Sequence, residues 1–435
     1  MKKNLSILSA VLAFAASGAV AEDWPQWLGP RGDSTWNDTG LITKFPAEGP
    51  KVVWRAPIAN GYSGPSVSGG KVFVMDFQIS SGKVDDNPGG RTKVTGKERV
   101  VCVDEKTGKP IWDRGWDTTI HLSFPNGPRC MPVVSDGVVY SLGAEGHLTA
   151  LNAADGKVVW EKELKKDYGS ESPIWGFAAT PLVHGDLVYT LAGGRGTAVV
   201  ALDRKSGKEV WRALDTKDVG YAPPVMTKRE GKDELLVFLP DSLNGLDPAT
   251  GKVQWSQPYQ AAYGMSIMAP RVTPSGIFVG SMMKKSMMVK PGGGKAEVVW
   301  EGKPNQAMSP KNGTPVVVED LVYGCDMDGD LRCFNSATGE RVWSSLEVMN
   351  NKKAGSGTFF AARTPQQWVL FNDAGELILA DLSASGYKEA SRAKILSAET
   401  PGMGRKVVWS HPAFANQCVF VRNDKELVCV SLAAK

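Results

Sequence analysis

The sequence has no block of like charge, no apolar run long enough to cross a membrane and no long amphipathic helical stretch. A formal charge of +4 spread over 435 residues offers little to neutralise a phosphate backbone, so nucleic acid is not expected as a partner. Cys-x-x-Cys-His is absent, which excludes covalently attached haem. The four histidines, His121, His147, His184 and His411, fall at no metal-ligand spacing. No Ser-His-Asp set stands out, and no Gly-rich phosphate loop precedes a helix.

What the chain does contain is a repeat. A small residue, then Asp or Asn two positions on, then Gly, then Trp recurs along most of its length. It reads Ala201, Asp203, Gly207, Trp211; Cys102, Asp104, Gly108, Trp112; and Ala150, Asn152, Gly156, Trp160. It returns as Gly245, Asp247, Gly251, Trp255 and as Cys333, Asn335, Gly339, Trp343, with worn copies ending at Trp300 and Ala390. Each copy predicts a strand, a tight turn and a second strand. The Asp or Asn bonds the turn amides, and the Gly supplies a positive φ. The small residue is expected to leave room for a Trp from the neighbouring unit.

Successive Trp residues from Trp112 to Trp343 are 48, 51, 44, 45 and 43 residues apart. That period suits four-stranded propeller blades rather than helical repeats. Seven units start near Pro65, Pro132, Pro181, Pro223, Pro270, Pro315 and Ala361. An eighth is expected to join Pro412–Leu432 to Val52-Val53-Trp54, because a ring with open sheet edges would expose unpaired backbone groups. The predicted fold is all-β: an eight-bladed propeller of antiparallel blades, its last blade closed by an N-terminal strand.

Ahead of the ring, residues 1–21 read as a signal peptide, with Lys2 and Lys3, an apolar middle at Ile7–Ala16 and Ala19-Val20-Ala21 as the cleavage site. No Cys follows that site, so a soluble periplasmic or secreted protein is expected rather than a lipoprotein. Residues 22–49 read as an irregular arm anchored by Trp24, Trp27 and Trp36, its Arg31-Gly32-Asp33 being a turn, and 50–435 as the propeller. The polar insertion Gln78–Arg99 reads as a mobile hairpin. Of six cysteines, Cys102, Cys333 and Cys429 occupy the small-residue slot as buried thiols; Cys418 with Cys429, and Cys325 with Cys333, could form cross-strand disulfides.

These repeats resemble those of the quinoprotein propellers, with their pattern Ala-x-Asp-x-x-x-Gly-x-x-x-Trp, a superfamily that includes the pyrroloquinoline-quinone dehydrogenases and the BamB scaffold. DWPQW near the start and VVWSHPAFA near the end fit the exported proteins of this kind. The resemblance implies a cofactor over the channel, between an aromatic floor and a bonded pair of adjacent cysteines, with calcium held by Glu, Asn and Asp. This chain has no adjacent cysteine pair and no matched ligand motif. The expectation is therefore a monomeric binding or scaffold module taking a small molecule or a protein at its channel face. The alternatives are an alcohol or sugar dehydrogenase using pyrroloquinoline quinone and calcium, or a glycan-binding or glycan-cleaving propeller, cleavage needing two opposed carboxylates.

Functional groups in a propeller are sought in the loops that join blades. These loops carry Asn126 and Arg129, Glu171 and Trp175, Lys311 and Asn312, and His411. Together they suit a polar or anionic ligand, with Trp175 or Tyr263 stacking on a ring, and Glu171 is the first choice for calcium. Asp326, Asp328 and Asp330 read as a hairpin turn rather than a calcium loop. The methionines Met265, Met268, Met282, Met283, Met287 and Met288 read as core packing rather than a copper site.

Overall fold

A computed structural model describes residues 21–283, 286–303 and 306–434, so the signal peptide read over 1–21 lies outside the described residues except for Ala21. Eight antiparallel sheets of four strands follow one another around an axis. The first seven occupy residues 66–122, 133–163, 182–213, 225–258, 271–302, 316–345 and 359–394. The eighth combines three strands from 413–431 with Lys51–Pro57, which pairs antiparallel with Glu426–Ser431. The ring is thus closed by hydrogen bonds between the two ends of the chain, leaving no open edge between first and last blade.

The repeat makes a local turn and a contact with the next blade. Asp104 Oδ1 accepts the Thr107 amide, Asp203 Oδ1 the Ser206 amide and Asp247 Oδ1 the Thr250 amide, each at 2.8–2.9 Å. The indole then leaves its own blade. Trp112 Nε1 donates to Ala153 O, Trp160 to Arg204 O, Trp211 to Pro248 O and Trp300 to Ser336 O, always in the turn of the following blade. The expected docking partner needs correction here. The small residue lies across the sheet from the Trp of its own blade, as Ala201 pairs with Trp211 and Cys333 with Trp343. The neighbour's ring instead covers the turn glycine, where a Cβ would stand 2.5–2.8 Å from it.

Two blades depart from the rule for visible reasons. Trp255 folds back over Gly245 and donates to the buried Glu234 carboxylate at 2.8 Å. The corresponding turn of the fifth blade instead sends Gly294–Lys295 to pair in parallel with Trp255 and Ser256. At Ala390 the Trp is missing because the eighth blade, split between the chain ends, has no turn to receive it. Phe45 of the arm packs there, its amide donating to Ser391 Oγ.

The arm also crosses the axis. The short first strands of consecutive blades gather against one another, and the arm bonds to several of them. Trp24 pairs with Val67 of the first blade, Pro25 O accepts the Val134 amide of the second, and Trp36 N donates to Arg363 O of the seventh. The Arg271 guanidinium of the fifth blade donates to Gly32 O at 2.7 Å. Trp36 and Trp24 are almost wholly buried. A segment held by blades on both sides of the ring acts as a plug, and the channel becomes a blind cavity. Arg31-Gly32-Asp33 is a turn within this plug, with Arg31 paired to Glu22 at 2.6 Å.

The Gln78–Arg99 insertion forms the expected hairpin, built into the first blade. Its residues extend the second and third strands to Lys71–Ser81 and Thr92–Asp104, joined by the long fourth strand Pro110–Leu122. Val94, Ile120 and Leu122 bury themselves with Ala144 and Phe77, which gives the flap its own apolar core. All six cysteines are free thiols, so neither suggested disulfide is formed. The diagonal placement of Cys418 and Cys429, offset by two residues from direct register, explains their closeness without a bond.

Candidate functional site

A cavity of about 740 Å³ opens where the joining loops converge, and every one of the eight joins contributes to its wall. Arg129 comes from the first join, Trp175 from the second, Tyr221 from the third, Tyr263 from the fourth, Lys311 and Asn312 from the fifth, and Ser356 from the sixth. Trp409 and His411 come from the seventh, and Tyr62 from the ring-closing join. Trp27 of the plug forms part of the floor. Pro88 and Gly89 from the flap, and Met403 from a separate hairpin, reach over the mouth.

The chemistry of this wall is lopsided. It carries two cationic side chains and, among the described residues, no aspartate or glutamate. Arg129 donates to the carbonyls of Gly127, Ser123 and Phe124, and lies over the Tyr62 ring at 5.2 Å. Burial works against its charge, yet a guanidinium keeps its proton. Burial likewise lowers the pKa of the Lys311 ammonium, and the Asp328 charge opposes the effect. Neither cation has a carboxylate within ion-pair distance among the described residues.

Around these charges stand aromatic rings and unpartnered polar atoms. His411 lies between Trp27 and Phe360, with ring centroids 3.7 and 3.8 Å away. Burial lowers its pKa well below the usual histidine range, so its imidazole is neutral, and its Nε2 has no hydrogen-bond partner. The Tyr62 hydroxyl is also unpartnered, and burial raises its pKa so that it remains a phenol. Trp175 meets Tyr221 edge-on at 5.7 Å, and Trp409 meets Phe124 edge-on at 5.6 Å. Unsatisfied buried polar atoms beside an apolar cavity are what a ligand's own polar groups would satisfy.

The structure brings together Arg129, Trp175, Tyr263, Lys311, Asn312 and His411 at this cavity, and it places two other candidates elsewhere. Asn126 is fully buried behind the wall, where it accepts from Asn60 and donates to Asp424 at 2.8 Å each. Glu171 is exposed and lines a separate polar cleft, because the turn closed by Gly176 N donating to Pro173 O carries Trp175 to the axial cavity and leaves Glu171 outside. Among the described residues, no three His, Cys, Asp or Glu side chains converge as metal ligands. Asp326 and Asp330 of the acidic turn both meet Arg332, at 2.8 and 3.3 Å. Met268, Met287 and Met288 pack in the core, Met265 and Met282 reach the cavity wall, and Met283 is exposed. Sequence reasoning missed Tyr62, Tyr221 and Trp409; their only signal is a position in joining loops that carry no periodicity.

Fold and site together define an eight-bladed propeller of quinoprotein-like repeats with a plugged, cationic, aromatic cavity. Residues 96–345 and 274–435 match the family described as "Outer membrane protein assembly factor BamB", and the chain belongs to that family. It is 27% identical over 275 residues to the BamB of Salmonella typhimurium, a match spanning 58% of this chain and 67% of that protein. A second relative, the "1-butanol dehydrogenase (quinone)" of Thauera butanivorans, is 30% identical over 176 residues, 37% of this chain and only 28% of the dehydrogenase. The crystal structure of BamB from Moraxella catarrhalis shares the fold, with a TM-score of 0.56, 18% identity and coverage of 88% and 97% of the two chains.

Proposed function

We propose that the protein is an exported propeller module whose axial cavity captures a planar aromatic anion without a metal ion. The observation that carries this reading is the wall itself: Arg129 and Lys311 face a cavity to which, among the described residues, no carboxylate contributes. Against a largely apolar wall two such charges attract an anion more strongly than in bulk water. Trp175, Trp409 and Tyr221 offer faces and edges for a flat ring, while Tyr62 and His411 supply hydrogen bonds to its polar rim. Export to the periplasm is supported by the leader-like sequence and by membership of a family named for outer-membrane assembly. The rest of the ring surface then serves as the scaffold, in keeping with that name.

Pyrroloquinoline quinone, a planar tricarboxylate, fits these residues; calcium does not, since a hard cation wants oxygen ligands where the wall presents an ammonium and a guanidinium. A dehydrogenase would also need a free base beside the ring. Asp326 and Asp373, acidic residues of the neighbouring turns, are instead bound to Arg332 and Arg405, at 2.8 and 2.6 Å. Binding without turnover is the better-supported function. Tryptophan-fluorescence titration with pyrroloquinoline quinone in EDTA tests it. Saturable quenching at micromolar concentration is expected, and a strict calcium requirement would overturn the metal-free reading.

A further inference from the structure

Two structures overhang the cavity mouth from different parts of the ring. The flap of the first blade carries Pro88 and Gly89 there. The hairpin Thr400–Gly402 with Arg405–Val407, between the seventh and eighth blades, carries Met403. Each is anchored on its own side. On the flap, Asn87 Oδ1 accepts the Phe124 amide at 3.0 Å, and Arg91 donates to His121 O and Ser172 O. On the hairpin, Arg405 pairs with Asp373, and Thr400 Oγ1 donates to Asp424 at 2.7 Å.

Between them runs one direct link. The Asp86 carboxylate accepts the Met403 amide on Oδ1 at 2.8 Å and the Gly404 amide on Oδ2 at 2.5 Å. Met403 and Gly404 have φ of +55° and +76°, successive left-handed residues whose amides present a small concave anion site. Asp86 and Met403 are both exposed, so this link stands in water at the rim of the mouth, whereas most of the anchors on either side are partly buried.

We propose that Asp86 is a latch: its carboxylate, seated on the Met403 and Gly404 amides, joins flap to hairpin across the mouth and gates passage into the cavity. The gating role rests on the reading of the cavity as a ligand site; the latch itself does not. A pair of charge-assisted hydrogen bonds is strong enough to hold the mouth closed most of the time and weak enough to open spontaneously. Removing it frees only the hairpin tip at the cavity rim, because the hydrogen bonds that Asp86 makes outside its own flap, among the described residues, go to Met403 and Gly404.

The test uses full-length Asp86→Ala and Asp86→Asn beside the unaltered protein. Amide hydrogen exchange at Met403 and Gly404 should quicken about tenfold in Asp86→Ala, while Val407, paired with Thr400, stays unchanged. Stopped-flow mixing with pyrroloquinoline quinone should show association and dissociation both faster by about the same factor, with Asp86→Asn between the two. Unchanged exchange at Met403 and Gly404 would overturn the latch. Faster exchange with unchanged quinone association would overturn the gating. Should the quinone bind neither protein, the cavity reading fails and hydrogen exchange alone decides whether the latch exists.

Discussion

The indole nitrogen of Trp54 donates a hydrogen bond to the Glu105 carbonyl at 2.7 Å, and this contact joins the last blade to the first. Trp54 belongs to the N-terminal strand that completes the eighth blade, so one ring holds both the closing strand and the next blade in place. Trp54→Ala should cost about 3–5 kcal/mol, the usual loss for a buried indole. Val52→Ala, in the same strand but 38% exposed, should cost less than about 1 kcal/mol. Chemical denaturation of the two variants checks the contrast.

Gly108 receives that indole. It has φ of +68°, and a Cβ there would sit 2.6 Å from Trp54. Gly137 has φ of +75° with open space around it. Gly137→Ala should therefore cost only the left-handed strain, about 1–2 kcal/mol, whereas Gly108→Ala adds a clash worth about 1–3 kcal/mol more. Equal losses in the two variants would show that the turn, and not the docking, requires glycine.

Glu98, on the Thr92–Asp104 strand of the flap, is 1% exposed and accepts the Ala144 amide at 2.9 Å. Burial raises its carboxyl from 4.5 to about 7. An acid whose folded pKa is raised lends stability below its unfolded pKa and loses it as pH rises through the folded one. Glu98→Gln keeps an acceptor for Ala144 without a charge to bury. The variant should match the parent near pH 4.5 and exceed it at pH 8 by up to roughly 3 kcal/mol. Urea denaturation at the two pH values reads this directly.

Most of the ring was legible because its signal is local. Asp203, Gly207 and Trp211 specify a turn and a protruding indole within nine residues, and five good copies fix the period. The split blade followed from Trp54 lacking earlier strands and Leu432 lacking a later one. The neighbouring blade was legible as the indole's destination, but its seat on the turn glycine was not, since the glycine already had a sufficient explanation in its backbone angle. The cavity was legible only in part. Lys311, Arg129 and Trp175 stood out by residue type, whereas Tyr62, Trp409 and Trp27 meet only because eight aperiodic joins and a plug converge on one axis. Glu171 lies two residues from Pro173, and nothing local told on which side of that turn the cavity would lie.

Lys311 decides the account. It is the cation in the wall that donates to no carbonyl or carboxylate among the described residues, and its replacement removes charge without stripping the fold of a bond. Calorimetric titration of pyrroloquinoline quinone in EDTA, into the parent protein and into Lys311→Ala, measures that charge at work. A metal-free, micromolar affinity that weakens about tenfold in the variant is the predicted result. Equal affinity in both proteins, or binding that appears only when calcium is restored, would contradict it.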